Sequence, residues 1–331
     1  MGAGPDKKRS EPGEQGAGPS PRRGRFAPTP SGPLHFGSLV AAAASYLDAR
    51  AQGGEWHLRI DDLDPPRVQP GAETMILSTL EQLGFAWDGP VVRQSGRTDA
   101  YQAALDRLRT MAGVYACTCS RTDIARAGLA GIEGPRYPGT CRGKPASPRP
   151  HAIRLDVSNV TVAFDDALQG PVAQILDLAI GDPVLRRADG VFAYHLACVV
   201  DDAASDFTDV VRGADLLAST PRQIHLQRLL GLPTPAYLHL PVALDPAGRK
   251  LSKQTQAPAV GVRQWWDALA PVMTFLGHAP PAQLRDATLA AFWQWGIAAW
   301  RRERIPRRAA ASVLAAANQH EHDRIGGQLL Q

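Results

Sequence analysis

Two stretches of this 331-residue chain bring together residue types that could do chemistry. The first, GRFAPTPSGPLHFGSL (residues 24–39), sets a Gly/Pro-rich loop between a short apolar run and a helix-favouring one. Backbone N–H groups at such a helix start, aided by the helix dipole, favour an anion, and a phosphate is the usual one. Gly32 and Gly37 would let backbone come close to a ligand, and His35 stands in the mouth of the loop. Its imidazole could donate to a phosphoryl oxygen that gains charge during transfer. The second stretch, KLSKQ (residues 250–254), puts Lys250 and Lys253 just after a Gly-containing turn. Ammonium groups on such a loop can close over a polyphosphate and neutralise it. Taken singly, each stretch has a plainer reading: a helix cap for His35, a solvated loop for the lysines.

A third cluster is metal-like. Cys117-x-Cys119 is followed by Cys141 within a Gly/Pro-rich segment, and three thiols at that spacing suit a tetrahedral zinc. The segment has little to bury, so a metal would supply the fold it cannot otherwise build. By ligand chemistry His151 is the usual fourth donor. Cys198 lies in a long apolar run and reads as a core residue.

The elements that must position these groups follow from periodicity. Residues 24–30 read as a strand running into the loop. Phe36 to about Gln52 is Ala-rich and helical, and Gly53-Gly54 stops it. EWHLRI alternates as a strand, GAETMILSTLEQLGF has helical spacing, and a further helix covers Thr98 to Met111. HAIRLDV and VFAYHLACVVDD add strand and helix character, and SDFTDVVRGADLL a strand with a polar exit. TPRQIHLQRLLG is a helix with Thr220 as its expected N-cap and Pro221 behind it. The remainder from about Val262 reads as helices. Alternating strands and helices predict an α/β fold with a doubly wound parallel sheet.

Composition excludes some classes. A hydrophobic fraction of 44% fills a globular core. No apolar run is long enough to span a bilayer, and the N-terminus lacks the apolar core of a signal peptide. A cytoplasmic location is therefore expected, where clustered cysteines bind metal more often than they form disulfides. Residues 1–25 and 301–331 each carry +3, so in a chain of net +4 the middle is −2. A nucleic acid would have to meet local basic patches.

In this order, the motifs are recognisable. LHFG resembles the HIGH signature and KLSKQ the KMSKS signature of class I aminoacyl-tRNA synthetases. RFAPTPSGPLHFGSL, RIDDLDPPR, FAYHLACVVDD, VVRGADLL and HLPVALDPAGRKLSK are similar to the glutamyl branch, over about Gly24 to Pro258. The resemblance implies a Rossmann-type catalytic domain in which L-glutamate attacks the α-phosphorus of ATP, with Mg²⁺, to give glutamyl adenylate and pyrophosphate. It makes His35, Lys250 and Lys253 catalytic, with His35, Gly37, Ser38 and Lys253 around ATP; Ser38 replaces the second histidine of the signature. For glutamate it implies Arg25 toward the γ-carboxylate, the loop residues Phe26, Ala27, Pro28 and Thr29, Asp61 toward the ammonium, and Tyr194 and Arg212. A bidentate guanidinium suits a carboxylate. Relatives usually carry the longer Glu where Asp61 stands. The resemblance also makes Tyr137, not His151, the fourth ligand of one structural Zn²⁺ with Cys117, Cys119 and Cys141.

The expected organisation is a disordered tail (1–23), the first half of the catalytic domain (24–114), an inserted zinc module (115–150), the second half with the KLSKQ loop (151–260) and a short helical C-terminal region (261–331). Roughly 70 residues follow the loop, too few for an anticodon-reading domain of usual size. In this the chain resembles the glutamyl-Q tRNA(Asp) synthetase family. That resemblance implies a monomer, with no membrane partner, that activates glutamate without tRNA. It would transfer the glutamate to queuosine at the first anticodon position of tRNA(Asp). WRRERIPRR (residues 300–308) is a candidate for phosphate contact. The competing readings are conventional charging of a tRNA 3′ end and an inactive nucleotide-binding paralogue; intact His35, Lys250 and Lys253 argue against the latter.

Overall fold

The computed structural model describes residues 21–145, 148–245, 247–251 and 264–312. Its centre is a parallel five-stranded sheet in the order Ala236–Leu240, Asp209–Gly213, Arg23–Phe26, Glu55–Ile60, Val92–Arg93. Side chains alternate across it, as the pleat requires. Val210 and Tyr237 face one core, while Val211, Leu238 and Leu240 face the other. Helix Phe36–Ala51 covers the second face together with helices Trp265–Phe275 and Leu289–Ala299. Helices Thr98–Met111, Tyr194–Ala204 and Thr220–Leu230 cover the first. This is the doubly wound arrangement expected of the alternation.

Small residues let helix Phe36–Ala51 lie close on the sheet. Ala42, Ala43 and Ala44 are fully buried, and a Cβ at Gly24 would stand 3.2 Å from that of Ala49. Gly53, at φ +67°, ends the helix in the left-handed region, which glycine adopts without a Cβ clash. Thr220 differs from expectation. It is the first residue of its helix, preceded by Ser219 at the N-cap position, with no side-chain cap bond. The chain already turns as a 3₁₀ helix over Ala214–Ser219, and the Thr220 hydroxyl is engaged inward with the Leu216 carbonyl and Arg212.

From Arg23–Phe26 the chain continues to Glu55–Ile60 on one side, whereas Asp209–Gly213 lies on the other. Such a switch in strand order opens a crevice at the carboxyl ends of the strands. A separate antiparallel sheet is formed by chain that lies, in sequence, between Val92–Arg93 and Asp209–Gly213. Ala152–Leu155 pairs with both Val114–Cys117 and Val184–Arg186, so HAIRLDV belongs here and not to the parallel sheet. A hairpin, Thr161–Asp166 with Gly170–Ile175, forms a two-stranded sheet of its own. At the far end, Ala310–Ser312 pairs in parallel with Val242–Leu244. No helix among the described residues is long and apolar enough to cross a membrane.

Candidate active site and metal cluster

The crevice holds a cavity of about 410 Å³. Arg25 and Phe26 enter it from the end of their strand, and Ala27, Pro28 and Thr29 line it along the loop. The loop is pinned from outside: the Pro28 carbonyl accepts from Asp61 N–H at 3.0 Å and the Pro30 carbonyl from Gln69 N–H at 2.9 Å. His35 follows as the N-cap of helix Phe36–Ala51, its Nδ1 accepting the Ser38 N–H at 3.3 Å. An Nδ1 that accepts leaves the proton of the neutral ring on Nε2, which makes that atom a donor. Gly37 and Ser38 line the same wall. A Cβ at Gly37 would stand 3.2 Å from the Leu251 carbonyl oxygen and 3.3 Å from the His35 ring, so the helix start and the basic loop meet here without a side chain between them.

Lys250 and Leu251 close the opposite wall with Asp215. The turn before them is tied by Asp245, whose backbone N–H donates to the Arg249 carbonyl at 2.8 Å and whose side chain accepts from Arg249. The Lys250 ammonium is 2.6 Å from the Asp215 carboxylate, both about half exposed at 46% and 41%. Lys253 lies outside the described residues.

Below the cavity is a buried charge cluster. Arg25, only 3% exposed, donates through Nε to Asp202 at 3.3 Å. The same oxygen of Asp202 accepts from Arg59 at 2.5 Å, and Arg59 Nε donates to Asp61 at 2.7 Å. Burial opposes ionisation of Asp202, but Arg25 and Arg59 outweigh it and hold the carboxyl below the usual range. Asp61 therefore sits under the wall, tied to Arg59, and does not line the cavity. Cys198 is buried as expected of a core residue, yet it touches this cluster: Arg59 is 3.4 Å from its sulfur, and burial with Asp61 nearby pushes the thiol up to about 12. Tyr194, 36% exposed, and Arg212 line the cavity from the helix and strand beside it. The cavity is lined by four cationic side chains, Arg25, Arg67, Arg212 and Lys250, against one carboxylate, Asp215. That excess of positive charge suits anionic substrates.

The three thiols of the insert also meet. The sulfurs of Cys117, Cys119 and Cys141 lie within 4.8 Å of one another. Those of Cys119 and Cys141 are 3.6 Å apart. Two thiolates on a tetrahedral zinc, each at about 2.3 Å, would be separated by about 3.8 Å, so the donor set fits such an ion. The Tyr137 hydroxyl is 3.9 Å from the Cys119 sulfur and accepts the Cys141 N–H at 2.8 Å. His151 is not part of the group; its Nδ1 is 2.9 Å from the Arg149 carbonyl. Partial burial opposes ionisation of Cys141, but hydrogen bonds from Tyr137 and the Thr118 backbone bring its thiol down to about 7.

Comparison with known proteins accords with this geometry. The family model of class I tRNA synthetases (E and Q), catalytic domain, matches residues 22–279. A glutamyl-Q tRNA(Asp) synthetase of Dechloromonas aromatica is 56% identical over 291 residues, 87% of this chain and 97% of that protein. One of Aromatoleum aromaticum is 53% identical over 294 residues, 88% of this chain and 93% of that protein. The chain belongs to the glutamyl-Q tRNA(Asp) synthetase family. As a family member it is an ATP-dependent ligase. Among solved structures, a glutamate tRNA ligase from Elizabethkingia meningosepticum, in complex with its amino acid, superposes with a TM-score of 0.73 at 25% identity. It covers 88% of this chain and 67% of that one.

Sequence reasoning did not single out Arg59, Asp202 and Asp215. Asp61 directly follows the strand Glu55–Ile60 and stands two positions after Arg59, so the extended chain puts both on one face, and that spacing was the available signal. Asp202 gave none, because its partner Arg59 is 143 positions away and its neighbour Asp201 turns instead to Arg97 and Tyr101. The basic run at residues 300–308 is largely coil with a short 3₁₀ turn, Arg302–Arg304. Arg302 is held by Asp48 at 2.6 Å and Asp209 at 3.1 Å, so its charge is already countered.

Proposed function

We propose that the chain activates L-glutamate with ATP in the crevice without tRNA, and then transfers it to queuosine of tRNA(Asp). The observation that carries the first step is the convergence of His35, the helix start at Gly37 and Ser38, and Lys250 on one cavity with Arg25 and Arg212. In that step a carboxylate oxygen of glutamate bonds to the α-phosphorus and the bond to pyrophosphate breaks. Negative charge grows on both phosphates. Nε2–H of His35, the backbone N–H groups of the helix start and the Lys250 ammonium are donors for that charge, and Lys253 is assigned the same task. Arg25 is oriented by Asp202 to receive the γ-carboxylate, and Tyr194 and Arg212 hold the rest of the amino acid. Asp61, expected from the sequence at the ammonium, does not line the cavity and is given the task of holding Arg59 in place. Mg²⁺ accompanies ATP.

In the second step a hydroxyl of the queuosine cyclopentene diol bonds to the activated carbonyl carbon. AMP leaves and the hydroxyl proton passes to solvent. The names borne by the relatives support this acceptor. One zinc held by Cys117, Cys119, Cys141 and Tyr137 is structural in this reading, ordering the insert.

The test is incubation with labelled glutamate, ATP and tRNA(Asp), with and without queuosine. Label is expected on the queuosine-containing tRNA alone, and it should survive removal of the 3′ adenosine. Label that follows an intact 3′ end and ignores queuosine would assign the chain to 3′-end charging instead.

A further inference from the structure

A buried polar relay runs behind Arg212. It begins at Asp166, at the end of the strand Thr161–Asp166, and at His239 on the strand next to Arg212. Both side chains are fully buried, and His239 Nδ1 is 2.6 Å from Asp166 Oδ2. The other oxygen of Asp166 accepts backbone N–H groups of Leu168, Gln169 and His239 at 3.0, 2.8 and 3.2 Å. Burial opposes charge on Asp166, but these bonds outweigh it and hold the carboxyl below its usual range. Burial also lowers His239, against the pull of Asp166, so the imidazole is neutral. A neutral ring that donates from Nδ1 to a carboxylate must carry its lone pair on Nε2. Nε2 faces Arg212, whose Nε lies 3.1 Å away, and the Thr220 hydroxyl at 3.0 Å, whose proton has the Leu216 carbonyl as its acceptor at 3.1 Å.

Donor counting then fixes the guanidinium. Arg212 has five N–H donors. Nε donates to His239, and Nη2 donates to Thr220 Oγ1 at 2.8 Å and to Gln223 Oε1 at 2.7 Å. Three donors are committed to the protein side, and the fork also lies over the Tyr237 ring, 5.3 Å from its centroid. The Nη1 edge is left for the cavity that Arg212 lines.

We infer that His239, set by Asp166, is a positioning residue for glutamate: it fixes the rotation of Arg212 so that one edge of the guanidinium meets the amino acid. The inference rests on the proposed glutamate activation and adds a residue that touches no substrate. Without an acceptor at Nε2, the Arg212 Nε–H would be buried and unsatisfied, and the fork, still tied at Nη2, would tilt away from its present plane to find a partner. Lysine could not substitute for arginine here, because the arrangement uses the fork and not the charge alone.

Two replacements of similar polarity separate positioning from packing. In His239→Asn the amide nitrogen reaches where Nδ1 stood and keeps Asp166, but it is too short to serve Arg212. In His239→Gln the longer chain brings the amide oxygen to where Nε2 stood. Glutamate-dependent ATP–pyrophosphate exchange is measured for both, with KM for glutamate and for ATP taken separately and thermal melts alongside. His239→Asn should raise KM for glutamate about tenfold, the effect of one hydrogen bond to a charged group, with KM for ATP within twofold. His239→Gln should return KM for glutamate to within about threefold of the parent. Equal impairment by the two, no effect of either, or a parallel rise in KM for ATP overturns the inference. So does loss of a cooperative melt in both, which would make His239 purely structural. Failure of the parent protein to exchange pyrophosphate with glutamate would instead sink the proposed function.

Discussion

Replacing Lys250 with alanine separates catalysis from stability. The Lys250–Asp215 pair is about half exposed on both sides, at 46% and 41%. An exposed ion pair contributes between nothing and about 1 kcal/mol, and screening by salt reduces that further. The melting temperature of Lys250→Ala should therefore stay within about 2 °C of the parent. Its expected effect on rate is far larger. A donor aimed at charge that develops in the transition state is worth about 3 kcal/mol, or roughly 100-fold in turnover. Glutamate-dependent ATP–pyrophosphate exchange at saturating substrates reads this directly. KM for glutamate should change less than about threefold, because the lost contact serves the phosphates. A variant that melts like the parent and exchanges within threefold of its rate would refute the assignment of Lys250 to phosphate charge. A large rise in KM for glutamate alone would place the lysine with the wrong substrate.

Three further outcomes are expected. Arg25→Gln should lower kcat/KM for glutamate by about 100-fold or more, as a buried partner for a carboxylate is removed, and should melt only slightly lower because Asp202 keeps Arg59; a steady-state comparison of glutamate and glutamine checks it, and near-parental use of glutamate would remove Arg25 from the side-chain pocket. Metal analysis of protein purified without chelator should find about one zinc per chain, and Cys119→Ser should lose it and make the insert more sensitive to proteolysis; parent protein that neither contains zinc nor takes it up would exclude the site. Gly37→Ala puts a Cβ 3.2 Å from the Leu251 carbonyl and 3.3 Å from the His35 ring, so it should weaken ATP binding several-fold while leaving glutamate binding unchanged, and equilibrium titration with each ligand distinguishes the two.

Local patterns made much of the scaffold legible. The alternation of EWHLRI predicts the strand Glu55–Ile60, and the spacing from Thr98 to Met111 predicts the helix found there. The loop from Arg25 to Ser38 is continuous in sequence, so its residues reach one cavity with little further folding information. What supports them was hidden, for a physical reason. Charged residues inside apolar strands and helices report their role only through partners, and those partners come from distant elements: 177 positions separate Arg25 from Asp202, and 73 separate Asp166 from His239. Pairing partners of strands are equally non-local. HAIRLDV reads as any strand would, and nothing in its seven residues says that it joins an antiparallel sheet with Val114–Cys117.

The parallel pairing of Ala310–Ser312 with Val242–Leu244 has a mechanical consequence. Val242 and Ala243 form part of the cavity wall, and Leu244 is bridged to Lys250 across the turn. The late strand therefore works as a splint along the root of the basic loop. Displacing it would bare one row of backbone donors and acceptors on the segment that carries Lys250, and the turn would lose its fixed anchorage. Any fusion or trimming that disturbs residues 310–312 should thus be felt at the nucleotide end of the crevice, not only at the surface where the change is made.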